Sequence, residues 1–321
     1  MHYVYGPVPS RRLGLSLGID PTPLPGPFPT NGRPANKICN WNCIYCQLGR
    51  TRSFTIARTS LFPVESMLAE LRLALATEKA ADIDWITFAG SGEPTLNKDL
   101  GLMIRSVKAI TTIPVAVITN GSMLQVPKVR NELMAADAVL PTLDAGTPEL
   151  YARINRPHPD FRFDRHVRGM VAFRAHYKGR LCVELMLLAG INDDEASLRD
   201  IAAIMTKINP DQIHLVLPTR PPTETWVYPA DEEGLLKARA ILGTVAKLVY
   251  PAQVEFERGA IQDPLEAAAA IIARHPMSNE ELEDTLSRWG VADPATAIRI
   301  FAESGRCVRV ERYGKTFWRA P

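Results

Sequence analysis

Residues 84–119 read DWITFAGSGEPTLNKDLGLMIRSVKAITTIPVAVIT and contain one complete strand–helix–strand unit. The runs DWITFA at 84–89 and PVAVIT at 114–119 are short, apolar and rich in β-branched and aromatic residues, which is typical of buried strands. The segment 97–109 between them predicts a helix. Because a helical crossover of this length joins parallel strands, the stretch predicts an α/β fold with a parallel sheet.

Strand-like and helix-like segments continue to alternate on both sides of this unit. Further strands are predicted at 13–19, 138–143, 181–188 and 212–217. Further helices are predicted at 63–77, 129–135, 148–153, 164–176, 195–208 and 232–246. Six such repeats predict a partial (β/α)6 TIM-type barrel, in which reactive groups gather at the C-terminal ends of the strands.

Three cysteines lie before the first complete unit, in the run CNWNCIYC at 39–46. Cys39, Cys43 and Cys46 can hold three irons of a [4Fe–4S] cluster and leave the fourth iron without a protein ligand. An open coordination position separates a reactive metal site from a structural one. The alternatives are a zinc site lacking one ligand, a redox pair or a chance grouping, and no other Cys or His lies between residues 28 and 60.

The spacing of these cysteines, with aromatic Tyr45 before the last one, resembles the signature of the radical S-adenosylmethionine (SAM) enzymes. In that family the open iron binds the amino and carboxylate groups of SAM, and an electron from the cluster cleaves SAM to a 5′-deoxyadenosyl radical. The resemblance implies a [4Fe–4S] cluster on the three cysteines, Tyr45 in the cofactor site, and an external electron donor of the flavodoxin or ferredoxin type.

A second resemblance concerns the opening GPVPSRRLG and the later GSGEPTLN, which are similar to a stand-alone group related to the tRNA wybutosine-synthesising radical SAM enzymes. It covers about residues 1–250. Those tRNA enzymes carry additional N-terminal cysteines for a second cluster, and none precedes Cys39 in this sequence. The resemblance therefore implies the cofactor chemistry and not the same reaction.

The motif GSGEP at 90–94 directly follows the predicted strand 84–89. Small residues let the backbone approach a ligand closely, and the glutamate adds a carboxylate. It resembles the Gly-Gly-Glu-Pro motif that binds the SAM amino group in the family, with a simple glycine-rich turn as the alternative. The resemblance makes cofactor candidates of Gly90, Ser91, Gly92 and Glu93.

Other strand ends supply further cofactor candidates. Asn120 follows strand 114–119 and could bind the SAM ribose or carboxylate through its amide, or form a turn with the next glycine. Asp144 could be a polar group near the ribose or the N-cap of the next helix. For the last two strands, the family resemblance implies apolar and backbone contacts to adenine at Gly190, Ile191 and Leu217.

Charged residues near the predicted lumen are candidates for catalysis and substrate binding. Glu184 lies in an otherwise apolar strand, so its carboxylate must face a polar cavity or find a partner. A lumenal position would make Glu184 the candidate catalytic residue. The guanidinium fork matches phosphate and carboxylate, with surface salt bridges as the alternative, and the candidate substrate arginines are Arg11, Arg12, Arg156 and Arg220.

The pattern changes after about residue 257, which predicts a second domain. We expect the barrel at 1–257 with its cluster loop at 36–50, a linker at 258–268, and a winged-helix-like domain at 269–321. SNEE at 278–281 is a capping box, and Asp-Pro at 293–294 starts another helix. A hairpin follows at 306–318.

This tail is basic and aromatic at its end. From residue 299 onward six basic residues face two acidic ones, with Tyr313, Phe317 and Trp318 between them. Such a wing could bind RNA by phosphate contacts and stacking, or a peptide by strand addition. A structural cap that packs on the barrel is the alternative.

The predicted function is reductive SAM cleavage followed by modification of a macromolecule, with RNA favoured and a peptide or protein second. The rival is a non-catalytic iron–sulfur redox regulator that binds nucleic acid. The formal net charge of +2 gives no general drive toward nucleic acid or membrane. No apolar run reaches bilayer length and the N-terminus lacks signal-peptide features, so we expect a cytoplasmic protein without a membrane partner.

Overall fold

The computed structural model describes residues 3–23, 37–52, 54–249, 255–258 and 261–320. An eight-stranded sheet forms the larger part of the fold, with strand order equal to chain order. Its strands are β1 Val4–Ser10, β2 Gly14–Ile19, β3 Trp85–Phe88, β4 Val115–Thr119, β5 Ala138–Pro141, β6 Arg180–Met186, β7 Gln212–Val216 and β8 Ala246–Leu248. Strands β2 to β8 run parallel, and β1 pairs antiparallel with β2.

Helices connect the parallel strands. They are α1 Val64–Leu75, α2 Leu100–Ile110, α3 Pro127–Leu133, α4 Pro148–Ile154, α5 Phe163–Arg174, α6 Glu195–Ile208 and α7 Glu232–Leu242. Their apolar faces and the strands form one large core, in which Leu71, Ile104 and Val117 are fully buried. The α/β class is confirmed, and the sheet is that of a partial barrel, since β1 and β8 do not pair with each other among the described residues.

Two strands of the large sheet, β1 and β8, were not predicted from the sequence. Strand β1 contains Pro7 and Pro9, and it tolerates them because it is the edge strand of the sheet, where missing donors cost little. The helix predicted at 232–246 ends at Leu242 because Gly243 adopts a positive φ of 78°. This early end frees the next residues to form β8.

The rest of the chain forms a smaller unit with its own core. It contains α8 Pro264–Ile272, β9 Met277–Ser278, α9 Asn279–Arg288, α10 Pro294–Glu303, β10 Val308–Arg312 and β11 Lys315–Arg319. The three strands form a sheet in the order β10-β11-β9. Helix α8 begins inside the segment 258–268 that was predicted as a linker. The domain limits and the winged-helix assignment stay predictions.

Local signals in this unit match the structure closely. The Ser278 hydroxyl accepts from the Glu281 N–H at 3.1 Å, and the Glu281 carboxylate accepts from the Ser278 N–H at 2.7 Å, so the capping box is present. The hairpin turns at Tyr313 and Gly314, both with positive φ, as a two-residue turn of the primed type requires.

The small unit packs against the barrel through charged side chains. Arg274 at the end of α8 donates to Asp20 at 2.8 Å, and this pair is almost fully buried. Arg220 of the barrel donates to Glu281. Within the described ranges, no helix has the length and apolar character needed to cross a membrane.

Candidate active site

A cavity of about 320 Å³ lies in the barrel lumen and carries most of the candidate chemistry. Cys46, Gly90, Asp144 and Leu217 line it near the C-terminal ends of the strands. Inward-facing strand residues continue its wall, and Ser16 and Thr87 share a hydroxyl hydrogen bond of 2.6 Å there. The cavity is therefore lined by both polar and apolar side chains, which is typical of a site that binds a cofactor and a substrate.

The described part of the cluster loop, residues 37–50, carries all three candidate cysteines as free, half-buried thiols. A tight turn joins two of them, with the Cys46 N–H donating to the Cys43 carbonyl at 3.2 Å. The loop is bound to the C-terminal end of α4, because the Ile44 N–H donates to the Ile154 carbonyl at 3.0 Å. Trp41 beside it is buried against the Tyr151 ring. The loop thus has a rigid support behind it.

Polar donors surround the cysteine sulfurs. Lys37 Nζ donates to Cys46 Sγ at 2.9 Å and to the Gly49 carbonyl at 2.6 Å. Side-chain amides of Asn120 and Asn155 lie 3.9 Å from the sulfurs of Cys39 and Cys43. These donors suit negatively charged sulfur, and hydrogen bonds to the sulfurs are one of the controls on cluster potential.

Burial raises the pKa of Cys39 to about 11, against which the nearby Lys37 ammonium acts. A positive charge is therefore needed to keep this thiolate, and bound iron would supply it. Among the residues that the structure describes, no group of three or more Cys, His, Asp or Glu side chains is arranged to bind a single metal ion. A [4Fe–4S] cubane does not need that convergence, because each thiolate binds a different iron. The three cysteines and their donors fit such a cluster.

Glu93 of the GSGEP motif lies away from the cavity, with its side chain 2% exposed. Its carboxylate accepts from the Thr95 N–H at 3.0 Å, from the Thr95 and Thr119 hydroxyls at 2.5 Å each, and from the Asn120 N–H at 2.7 Å. Four donors of the chain occupy both oxygens. The structure therefore places the Glu93 carboxylate between the ends of β3 and β4, bound to four donors of the chain, and its contact to the SAM amino group stays a prediction.

Ser91 and the two glycines of the motif are also held in place by neighbours. The N–H and hydroxyl of Ser91 donate to buried Asp20, at 3.1 Å and 2.6 Å. A Cβ on Gly92 would lie 2.1 Å from the Ile38 carbonyl oxygen, so the motif rests directly on the cluster loop. Gly90 alone of the four residues lines the cavity. The motif offers backbone rather than side chains to a ligand.

Asn120 fulfils the turn interpretation and contacts the cluster loop. Its Oδ1 accepts from the Ser122 N–H at 2.9 Å, and its Nδ2 donates to Asn40 Oδ1 at 2.7 Å. Both ends of the amide are thus used by the chain, and Asn120 is absent from the described cavity wall. The contact of Asn120 to the SAM ribose or carboxylate stays a prediction.

Asp144 and Tyr45 lie together on the cavity wall. Asp144 accepts from the Tyr45 hydroxyl at 2.6 Å, from Asn155 Nδ2 at 2.7 Å and from the Met186 N–H at 2.8 Å. Thr147 caps α4, so the alternative role of Asp144 as a helix cap is wrong. Burial raises the pKa of Asp144 to about 6, although these donors oppose the rise.

The three residues expected to contact adenine lie in different surroundings in the structure. Leu217 lines the cavity. Gly190 is exposed in a turn with a φ of 65°, and Ile191 packs with Ile44 in a small apolar cluster. Neither of these two reaches the cavity, because the chain turns outward after Leu188. Ile191 supports the cluster loop instead.

Glu184 was expected to face a polar cavity or to find a partner, and it does both. It lines the cavity, is 6% exposed, and forms an ion pair with Arg12. Arg11 and Arg220 also line the cavity. Arg156 does not, because its guanidinium binds Glu224 at 2.5 Å, outside the cavity and beside the cluster loop. The substrate contact expected at Arg156 stays a prediction.

Several functional residues lie outside every sequence motif. Lys37, Asp20 and Asn155 join the cluster loop, the GSGEP motif and Asp144 to their surroundings. Arg274 and His275 bring the small unit to the cavity wall. Asp20 follows a predicted strand and could have been found by that position, whereas the other contacts join distant parts of the chain and leave no local signal.

Comparison with known proteins identifies relatives. The radical SAM superfamily model matches residues 35–201. A UPF0026 protein of Methanocaldococcus jannaschii is 32% identical over 322 residues, covering 99% of this chain and 96% of that one. A protein named GTPase Obg of Brachyspira hyodysenteriae is 42% identical over 236 residues, 74% of this chain, and the match spans only 33% of that longer protein.

Solved structures share the fold at low identity. A radical SAM methyltransferase from Sphaerobacter thermophilus superposes with a TM-score of 0.54 at 16% identity, covering 73% of this chain and 65% of that one. TYW1 with a lysine-pyruvate adduct gives a TM-score of 0.50 at 17% identity, covering 71% and 72%. These likenesses concern the barrel architecture alone.

Proposed function

The chain belongs to the radical SAM superfamily, whose enzymes use a [4Fe–4S] cluster and SAM, and we propose that Cys39, Cys43 and Cys46 are its cluster ligands. When bound, the cluster and SAM supply an electron and a 5′-deoxyadenosyl radical that abstracts hydrogen from a substrate. The observation that carries the proposal is the position of the cluster loop, which delivers Cys46 to the rim of the lumenal cavity while donors surround its sulfurs.

The chain's own residues hold and shield the site. Lys37 balances the negative charge of the loop, and the backbone at Gly90, which lines the cavity, is the part of the motif closest to the SAM amino-group role that the resemblance implies. Tyr45 and Asp144 tie the loop to the end of β5. Walls of the barrel and the end of α8 restrict water around the reacting groups, which protects a radical from side reactions.

Glu184 is the proposed lumenal residue for the substrate. It is the carboxylate within β6 that faces the cavity, and burial raises its pKa while Arg12 opposes the rise. A buried carboxylate in this setting can accept a hydrogen bond from a substrate hydroxyl or amine. Leu217 provides an apolar wall nearby.

The proposed substrate is a macromolecule, with RNA first and a peptide second. The small unit exposes fewer aromatic and basic side chains for binding it than the sequence predicted. Phe317 and Trp318 are only 4% and 8% exposed and belong to the interior. Arg312 and Tyr313 both donate to the Val227 carbonyl of the barrel. These contacts favour the cap interpretation of the tail, so an RNA or peptide substrate would have to be recognised at the cavity mouth.

The proposal is tested on anaerobically reconstituted protein, reduced with dithionite in the presence of SAM. We expect 5′-deoxyadenosine from the wild type and none from Cys43→Ala, which also lowers bound iron. Cys182→Ala is the matched control, because Cys182 is buried in an apolar cluster away from the loop. A wild-type protein with a full cluster and no 5′-deoxyadenosine would favour the non-catalytic iron–sulfur regulator instead.

A cytoplasmic location and a flavodoxin- or ferredoxin-type donor complete the proposal. The cluster needs a low-potential electron source, and both donor types supply one. Replacing dithionite by a reduced flavodoxin or ferredoxin tests this part. Formation of 5′-deoxyadenosine at a rate that saturates with donor concentration is the expected result.

A further inference from the structure

Four arginines line the lumenal cavity, and they are Arg11, Arg12, Arg220 and Arg274. Three of them have carboxylate partners, since Arg12 pairs with Glu184, Arg220 with Glu281 and Arg274 with Asp20. Among the described residues, Arg11 forms no ion pair, and its buried Nη1 has no hydrogen-bond partner. Within the described part of the chain, the Arg11 guanidinium therefore has no ion-pair partner of its own, and the nearby carboxylates of Glu184 and Glu281 are paired with Arg12 and Arg220.

Leaving the buried Nη1 of a cationic side chain without a hydrogen-bond partner is costly, so it requires an explanation. Burial and the neighbouring Arg12 and Arg220 lower the pKa of Arg11 to about 10, and the nearby carboxylates of Glu184 and Glu281 oppose this fall. His275 adds no charge, because its Nε2 accepts from Arg220 Nη2 at 2.9 Å and its pKa lies well below the usual range. An anion would stabilise Arg11 most directly.

The Arg12–Glu184 pair lies deeper in the barrel than the contact that holds the cluster loop. Met186 donates its N–H to Asp144, which holds Tyr45 of that loop. Glu184 precedes Met186 by two residues on the same strand, which corresponds to about 6–7 Å. Arg11 precedes Arg12 in the chain and lines the same cavity, so a substrate between this pair and the cluster loop would lie within the cavity.

We infer that Arg11, with Arg12 and Arg220, forms a binding site for an oxyanion of the substrate, a carboxylate or a phosphate. The guanidinium fork matches both groups by paired hydrogen bonds. This inference rests on the proposed function in so far as the bound molecule is the substrate of the radical reaction. The small unit takes part, because Glu281 and His275 fix the position of Arg220.

The test is isothermal titration of the reconstituted full chain with inorganic phosphate and, separately, with acetate, at constant ionic strength in chloride. We expect saturable binding of at least one anion and at least tenfold weaker binding in Arg11→Met, as for loss of a charge-assisted hydrogen bond. Arg11→Lys retains the charge without the fork and should bind more weakly than wild type. Arg199→Met, at an exposed pair with Glu195, is the control and should match wild type.

Circular dichroism and iron content show whether Arg11→Met folds. If it does not fold, the anion affinity of Arg11→Lys is compared with that of the wild type instead. The preferred anion identifies the source of the oxyanion as a phosphate or a carboxylate. Absence of binding in the wild type, or equal binding in wild type and both Arg11 variants, would overturn the inference. If saturating SAM abolished anion binding, the arginines would bind SAM rather than the substrate, and the inference would also be overturned. Because no reductant is used, these outcomes are independent of 5′-deoxyadenosine formation.

Discussion

Gly92→Ala is the most direct test of how the GSGEP motif and the cluster loop depend on each other. A Cβ at this position would lie 2.1 Å from the Ile38 carbonyl oxygen and 2.9 Å from its carbonyl carbon. The obstacle is backbone, so it cannot be relieved by a side-chain rotation. To reach an ordinary contact, the Ile38 carbonyl oxygen would have to move by more than about 1 Å, and this carbonyl immediately precedes Cys39.

The expected cost follows from two contributions. Overpacking a closely packed site costs about 1–3 kcal/mol. The same movement strains the hydrogen bond from the Glu93 N–H to the Ile38 carbonyl, now 2.8 Å, which contributes about 0.5–1.5 kcal/mol. We therefore expect the free energy of unfolding of the metal-free chain to fall by about 2–4 kcal/mol, with a reduced iron content after reconstitution.

The assay is urea unfolding of the metal-free protein, followed by iron determination on the reconstituted protein. Gly234→Ala in α7 is the matched control, because its nearest contact would be 3.2 Å from a side-chain methyl and alanine favours a helix. That variant should be unchanged or slightly more stable. A Gly92→Ala protein with wild-type stability and full iron would refute the direct packing of the motif on the loop.

Three further predictions concern buried polar groups. Glu93→Gln should lower the free energy of unfolding by about 2–4 kcal/mol, because an amide NH2 would face donors that now bind a carboxylate. Arg274→Met should cost about 3–5 kcal/mol by leaving the buried carboxylate of Asp20 without its cation, measured by urea unfolding. Burial lowers the pKa of His214 to about 4, so the unfolded chain takes up a proton between pH 6.5 and pH 4 that the folded chain does not. Stability should fall as pH falls through this window, and His214→Gln should reduce that fall.

Exposed counterparts serve as controls for these three variants. Glu195→Gln and Arg299→Met each disrupt a surface pair and should cost less than about 1 kcal/mol. His176→Gln replaces an exposed histidine and should leave the pH dependence unchanged. If a buried variant and its exposed counterpart had equal effects, the burial on which the prediction depends would be wrong.

Much of this protein was determined by local sequence. The period of its apolar residues specified the parallel α/β architecture, because strands and helices of fixed length leave a repeating pattern. Capping signals located the helices of the tail, since a cap is satisfied within three or four residues, as at Ser278 and Glu281. The spacing of Cys39, Cys43 and Cys46 indicated the cofactor chemistry for the same reason, because all three ligands lie on one short loop.

Only the tertiary structure decided which polar side chains reach the cavity. Glu93 lies in a motif and Asn120 at a strand end. Their side chains nevertheless form hydrogen bonds within the chain, Glu93 with Thr95 and Thr119 and Asn120 with Asn40. Arg274 contacts Asp20 across 254 residues of sequence, and no local pattern encodes such a pair. A strand end fixes where a side chain starts, whereas its hydrogen-bond partners depend on distant segments. That physical difference explains why the cluster loop was visible in the sequence, whereas the sequence named Arg11 as a candidate and only the structure showed that it has no ion-pair partner among the described residues.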